Sequence, residues 1–235
     1  MANAKTIGIV GGLSPESTVT YYQTIVRRHV EELGDHSYPR ILVASVSFQD
    51  YIDWQHAGAW DRIADGLARE IAALAAAGAD FAILASNTVH KVLGDLEDRS
   101  RLRIVPVFDA VAAACRAAGT SRLGLTGTRF TMADGFFARA MKTRGIEVIT
   151  PPEPDQTDLH RIIYDELVRG VVTEPARARL RAIAGELVAR GAEAVLLACT
   201  ELQLLAGPPG LGVAVIDTAT CHAELAWRIA LGRAA

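Results

Sequence analysis

The 235-residue chain has only three cysteines, and no two of them form a Cys-x-x-Cys pair. A disulfide framework and a thiolate zinc site are therefore both excluded, since each requires several thiols at defined spacings. Any importance a cysteine has here must be individual. Runs of Lys and Arg are also missing, and the formal net charge is −3. Nucleic-acid binding, which depends on clustered cations that displace counterions, is not expected. Apolar runs stay short: the stretch at 71–77 stops at Gly78 and Asp80, well below the roughly 20 residues that cross a bilayer. No membrane span is expected. The amino-terminal segment has two glycines where a signal peptide would carry a continuous apolar stretch, which points to a cytoplasmic protein. His29, His36, His56, His160 and His222 show no His-x-x-x-His spacing with a carboxylate, so no metal site is expected.

What is present is an ordinary globular composition, 50% hydrophobic and 22% charged, which excludes disorder for most of the chain. The length allows one large α/β unit or two smaller lobes. Short apolar runs at 6–10, 41–46, 81–85, 104–107, 122–126, 147–149, 194–198 and 213–216 alternate with helical stretches. That alternation predicts βαβ units and parallel sheets buried on both faces. Gly34, Gly78, Gly119, Gly145 and Gly191 each stand between a helical segment and a strand, as helix-ending residues do. Residues 150–155 contain three prolines and read as an irregular segment.

Laid over itself, the chain repeats weakly. Thr6-Ile-Gly-Ile-Val-Gly11 matches Arg122-Leu-Gly-Leu-Thr-Gly127, Gly78-Ala-Asp-Phe-Ala-Ile-Leu-Ala-Ser86 matches Gly191-Ala-Glu-Ala-Val-Leu-Leu-Ala-Cys199, and Val105-Pro-Val-Phe-Asp109 matches Val213-Ala-Val-Ile-Asp217. Three ordered matches at nearly constant offsets of roughly 110 residues imply two pseudo-symmetric lobes. The first is read as 1–108 with 213–235, the second as 109–212. Each would be a parallel sheet flanked by helices, with an active site in the cleft between them.

In parallel sheets ligands sit beyond the carboxyl ends of the strands. The repeat puts Ser86 and Cys199 at equivalent positions of that kind. Two such groups facing each other suit proton exchange at a carbon, one removing a proton from one face and the other delivering a proton to the opposite face. A thiol fits this work when nearby amides, cations or a helix amino terminus lower its pKa from about 8.5. Thr200 and Glu201, beside Cys199, could orient the thiol or anchor an ammonium. Cys115 lies among alanines and reads as packing. Cys221 and His222 follow Asp217 and Thr218 and read as part of a capped, packed helix start. Residues 11–18, which include Ser14, lack the third glycine of a dinucleotide turn and the lysine of a P-loop. They read as a carboxylate-binding loop or as a tight turn. His90, four residues beyond Ser86, reads as a hydrogen-bonded core histidine, with a base role as the alternative.

At these residues the chain resembles the aspartate/glutamate racemase family, on the side of aspartate and broad-specificity amino-acid racemases. The resemblance is carried by Gly11-Gly-Leu-Ser-Pro-Glu-Ser-Thr18, Ser47-Phe-Gln-Asp-Tyr-Ile-Asp-Trp-Gln55 with Gly58 and Trp60, Ser86-Asn-Thr-Val-His90, His160-Arg-Ile-Ile-Tyr-Asp-Glu-Leu-Val-Arg-Gly170, and Cys199-Thr-Glu201. It implies two similar α/β lobes, no cofactor, a homodimer, and proton transfer between two opposed cysteines on an amino acid or dicarboxylate substrate. Carried over, it makes Cys199 and Ser86 catalytic. Ser14, Gln55, Asn87, Thr88, Glu166, Thr200 and Glu201 become substrate-binding. The chain departs from the pattern at Ser86, where the family has cysteine. A serine hydroxyl becomes a base only with help. Three chemistries stay open: racemisation assisted at Ser86, exchange confined to the Cys199 face, or a single-cysteine reaction such as malonate-type decarboxylation. A catalytically impaired amino-acid-binding protein is a further alternative.

Overall fold

The computed structural model describes residues 4–206 and 211–233. The first three residues of the amino-terminal segment read above lie outside them. The chain forms two compact units, Met1–Asp109 with Ala219–Ala235, and Ala110–Thr218.

The first unit runs β1 (Ile7–Gly11), α1 (Pro15–Leu33), β2 (Ile41–Ser45), α2 (Phe48–His56), α3 (Trp60–Ala76), β3 (Phe81–Leu84) and α4 (Leu93–Arg99). Its parallel sheet has the order β2-β1-β3, with Ile104 bridged to Ala82 beyond β3. β1 and β3 are buried along their whole length, and only an unbroken apolar run can occupy a strand covered on both faces. α3 buries Ile63, Ala64, Leu67, Ile71 and Leu74, the spacing of one helical face, and packs on β1 and β2. Each such Leu or Ile contributes about 1.5–3 kcal/mol of burial free energy. α1 starts on the Ser14 cap with Pro15 in its first turn, and stops at Gly34, whose φ of 70° is left-handed. Glycine adopts that backbone without a Cβ penalty.

Helix α5 (Val107–Ala118) leads into the second unit, which continues β4 (Arg122–Gly127), α6 (Arg129–Ala133), α7 (Phe136–Lys142), β5 (Glu147–Ile149), α8 (Glu153–Arg161), α9 (Glu174–Ala189), β6 (Ala194–Ala198) and β7 (Val215–Asp217), and α10 (Thr218–Ala230) follows. The sheet order is β5-β4-β6-β7, all parallel. With β4 in the place of β1, β5 of β2, β6 of β3 and β7 of the Ile104 bridge, the two units share one topology. The expected α/β architecture of two similar sheets flanked by helices is therefore present. Arg179 of α9 holds Asp155 at 2.7 Å and Asp158 at 2.9 Å, tying α8 to α9.

Three expectations change. Residues 104–107, read as a strand, make only a bridge: Val105 N–H donates to Ala82 O at 2.8 Å, Pro106 has no N–H to extend the ladder, and α5 begins at Val107. Residues 150–155, read as irregular, include the start of α8. Pro152 stands at its cap and Pro154 in its first turn, where the missing N–H has no intrahelical acceptor to lose. Residues 213–216, read as a strand of the first lobe, pair instead with β6, Val215 opposite Val195 and Ile216 opposite Leu196. The division therefore falls at the start of α10. Among the described residues no helix is long and apolar enough to cross a membrane, and no group of His, Cys, Asp or Glu is arranged to hold a metal ion.

Candidate active site

In the first unit, β1 ends in a tight turn. Gly12 has a φ of 83°, and a Cβ there would collide with the backbone oxygen of Val46, so only glycine fits. Gly12 N–H donates to Thr18 Oγ1 at 2.8 Å, and Ser17 N–H donates to Ser14 Oγ at 3.4 Å. Ser14 is thus a helix cap, and two donors of the loop are already used inside it. The loop has the geometry of a tight turn. Gln55 is buried on α2, one turn beyond the buried Tyr51.

Ser86 is half-buried two residues past β3, and a 3-10 turn, Thr88–Val92, carries the chain away from it. Asn87 and Thr88 are buried. The Lys91 ammonium sits 3.9 Å over the Trp60 ring, a cation–π contact that draws this turn to the start of α3. His90 has both ring nitrogens on the backbone: Nδ1 is 2.8 Å from Ser86 O, and Val107 N–H donates to Nε2 at 3.1 Å. Because Nε2 accepts, Nδ1 carries the proton and donates. His90 is therefore the satisfied core histidine, and neither nitrogen is available to take a proton from Ser86. His222 is tied in the same way, with Nε2 donating to Val105 O at 2.8 Å and Nδ1 accepting from Tyr21 Oη at 2.9 Å.

Burial holds both rings neutral, lowering His90 to about 3 and His222 to about 4. An unfolded chain protonates each near 6.5. The stability that depends on neutral rings is thus complete above pH 6.5 and is lost as pH falls toward 4. Each ring contributes about 1.4 kcal/mol per pH unit in that window. The urea midpoint of the protein is expected to drop steadily between pH 7 and 5, and a flat profile would contradict the arrangement.

In the second unit, Cys199 directly follows β6, and Thr200–Leu204 form a 3-10 turn. Ser86 and Cys199 thus occupy matching places in the two sheets. Cys199 Sγ lies 3.0 Å from Glu201 Oε2, and Thr200 Oγ1 donates to the same oxygen at 2.9 Å. Glu201 is buried. Cys199 keeps some accessible surface, yet its surroundings exclude enough water that burial, then the Glu201 carboxylate, raise its thiol well above the ordinary value. Asp217 adds to the rise. This reverses the expected lowering. A five-residue turn has little dipole to offer a thiolate, and the charged neighbours are carboxylates, so the resting group is the thiol, donating to Glu201.

A model of the Asp/Glu/hydantoin racemase family matches residues 10–226. The chain belongs to that family. An Asp/Glu racemase-assigned protein of Yersinia pestis shares 36% identity and a TM-score of 0.88, covering 97% of this chain and 99% of its own. An aspartate racemase homologue from Pyrococcus horikoshii shares 31% identity and a TM-score of 0.83 over 97% and 99% of the two chains. The aspartate racemase of Picrophilus torridus, 20% identical over 96% of this chain and 94% of its own, has a TM-score of 0.73 and shares the fold.

Within this racemase-family chain, Glu166 is engaged on both carboxylate oxygens. Arg161 Nη1 lies 3.1 Å from Oε1, and Thr173 Oγ1 donates to Oε2 at 2.9 Å. This clamp closes the segment between α8 and α9, which starts with a single π-helical turn, Ile162–Glu166. Such turns recur at functional sites. Tyr164 rides on it, its phenol raised by burial and then by Cys199 and Glu201, and its ring is 4.7 Å from that of His160. Tyr164 and Asp217 are both coupled electrostatically to Cys199, and sequence reasoning named neither as a site residue. Tyr164 lay inside a stretch quoted for the resemblance, and Asp217 closed the third repeat block but read as a helix cap. Cys115 is fully buried in α5, and burial pushes its thiol up to about 11, in keeping with packing.

Proposed function

We propose that this racemase-family protein is a cofactor-independent racemase of an acidic amino acid of the aspartate or glutamate type. One observation carries the reading: the Cys199 thiol donates to the buried Glu201 carboxylate beyond the carboxyl end of β6. Glu201 accepts the thiol proton, and the sulfur, as thiolate, takes the Cα proton of the substrate. The thiolate is the competent form of cysteine, and a carboxylate at 3.0 Å is within reach for the transfer. Negative charge built up at Cα spreads into the substrate carboxylate and calls for hydrogen-bond donors. Asn87, Thr88 and Gln55 are assigned to that task, with Ser14 at the α1 cap. Thr200 steadies Glu201 through its own hydroxyl, and Glu166 shapes the segment that bears Tyr164. Ser86 is assigned to the second face of Cα. On this reading the protein is a cytoplasmic homodimer acting on free amino acids, as the family resemblance implies.

Ser86 makes the enzyme asymmetric. With His90 bound to the backbone through both nitrogens, the Ser86 hydroxyl has no imidazole to accept its proton. Cα exchange at the Cys199 face is expected to outrun inversion. Each enantiomer of aspartate and glutamate incubated in deuterated water, followed by proton NMR and chiral chromatography, tests this. The expected result is Cα deuterium from one enantiomer ahead of the appearance of the other. Absence of both deuterium and inversion overturns the racemase reading.

The protonated state of Cys199 favours a second reading, a carboxy-lyase in which this thiol protonates the carbanion left by loss of carbon dioxide from a malonate-type acid. Carbon dioxide release that disappears in Cys199→Ala, without Cα exchange of any amino acid, would select it.

A further inference from the structure

Helix α1 has two apolar faces, and only one is used inside the chain. Ser17, Tyr21, Ile25 and His29 are buried, and Tyr21 and His29 meet His222 and Trp227 of α10 at 2.9 and 3.3 Å. Val19, Tyr22, Val26, Val30 and Leu33 form a second stripe at steps of three and four residues, the spacing of one helical face. Val19 is 49% and Tyr22 44% exposed, and the other three keep part of their surface open.

β2 continues this surface. It stands at the end of the order β2-β1-β3. The crossovers β1 to β2 and β2 to β3 run in opposite directions along the sheet, so right-handedness places α1 and α3 on opposite faces. Leu42, Ala44 and Val46 pack into the core beneath α3. Strand alternation therefore turns Ile41, Val43 and Ser45 to the α1 side, where Val43 is 45% exposed. Contiguous open apolar surface of this kind marks an interaction site.

The charges beside the stripe say what covers it. Glu16 and Arg27 are both exposed, and eleven residues, three helical turns, put them on one flank of α1. Among the described residues neither side chain has an ion-pair partner within the chain. An identical helix laid antiparallel and centred between Tyr21 and Tyr22 sets each Glu16 opposite the partner's Arg27. A second copy thus supplies both complementary charges about one two-fold axis. We propose that this face is the interface with a second copy of the chain, α1 packed antiparallel on α1, with Val19 of each copy between Tyr22 and Val26 of the other. The same axis brings the two β2 flanks together and covers Val43. The contact reaches the first turn of α1, so each copy also braces the other's Ser14 cap. That consequence rests on the assignment of Ser14 to substrate binding; the interface itself does not.

Gel filtration with light scattering and sedimentation equilibrium on the full chain test it. The native protein is expected to be a dimer at micromolar concentration. Tyr22→Glu should raise the dissociation constant about thirtyfold or more, the loss of a central aromatic anchor. Glu16→Arg alone and Arg27→Glu alone should each weaken self-association about tenfold, because both facing pairs then carry like charges. Mixed in equal amounts, these two variants should recover native affinity as a heterodimer, since every facing pair again joins opposite charges. Circular dichroism separates dissociation from misfolding, and should a charge variant fail to fold, Tyr22→Glu decides alone. A monomeric native protein overturns the interface, as does a native dimer that Tyr22→Glu leaves intact, which would assign this face to a different partner. A mixture of folded charge variants that associates no better than either alone overturns the antiparallel pairing. A dimer with these responses but no Cα exchange would sink the racemase reading and leave the interface standing.

Discussion

Cys199→Ala is expected to lower Cα hydrogen exchange by about a hundredfold to ten-thousandfold, the usual contribution of one positioned acid–base group. On the proposed reading the substitution removes the group assigned to the Cα proton on its face, and it strips Glu201 Oε2 of one donor while leaving the other, the Thr200 hydroxyl at 2.9 Å. Because Thr200 remains, the turn should keep its shape, and substrate affinity measured by calorimetry should change far less than the rate. Deuterium incorporation followed by NMR for both proteins decides the matter. Exchange retained within about tenfold of the native rate, below the span expected of an acid–base group, would remove Cys199 from the mechanism.

Ser86→Cys is expected to act in the opposite direction, raising inversion by about tenfold or more. A thiol gives up its proton near pH 8.5, within reach of a modest local shift, whereas a hydroxyl needs a partner base. The backbone bonds on both nitrogens of His90 deny Ser86 the nearest candidate. If Ser86 stands at the idle face, the ratio of inversion to Cα exchange should climb toward one in the variant. Chiral analysis run beside deuterium incorporation measures that ratio directly. An unchanged ratio would mean that the second face is served by another group, and that Ser86 is only a packing neighbour of the turn at 88–92.

Much of the fold was legible because its central strands leave the sequence no freedom. β1, β3 and β6 are covered on both faces, so each must be an unbroken apolar run, and such runs are visible without coordinates. Helix ends were marked by glycines such as Gly34, whose left-handed backbone other residues avoid. Edges were harder to read. Ile104–Val105 has strand composition, yet Pro106 cannot donate to a ladder, and the segment shrinks to a bridge. The same Val-rich pattern at Val215–Asp217 becomes a full strand because its neighbours can donate and β6 offers an open edge. The reversal is instructive at residues 150–155, where prolines read as a break instead begin α8, since the first helical turn needs no N–H donors.

The candidate site divides along similar lines. Which residues stand just past the strands, Ser86 and Cys199, follows from sequence through the repeat, because parallel β-α units place such residues at the carboxyl end of the sheet. So does the absence of a cysteine at position 86, where the resemblance expects one. What those residues are chemically was decided only by the tertiary structure. The pKa of a thiol depends on water exclusion and on charges a few ångströms away: Glu201 beside Cys199 was legible, but the burial of the thiol and the further acid Asp217 at the end of β7 were not. The availability of His90 likewise depended on where the N–H of Val107 ended up. Local spacing allowed His90 to be a base, and a backbone donor 17 residues away removed that role. The sequence by itself determined the two-sheet α/β plan and the positions beyond the strands, since hydrophobic periodicity and turn chemistry are local. Only the tertiary structure decided protonation and hydrogen-bond occupancy, because those depend on through-space neighbours that the order of residues does not reveal.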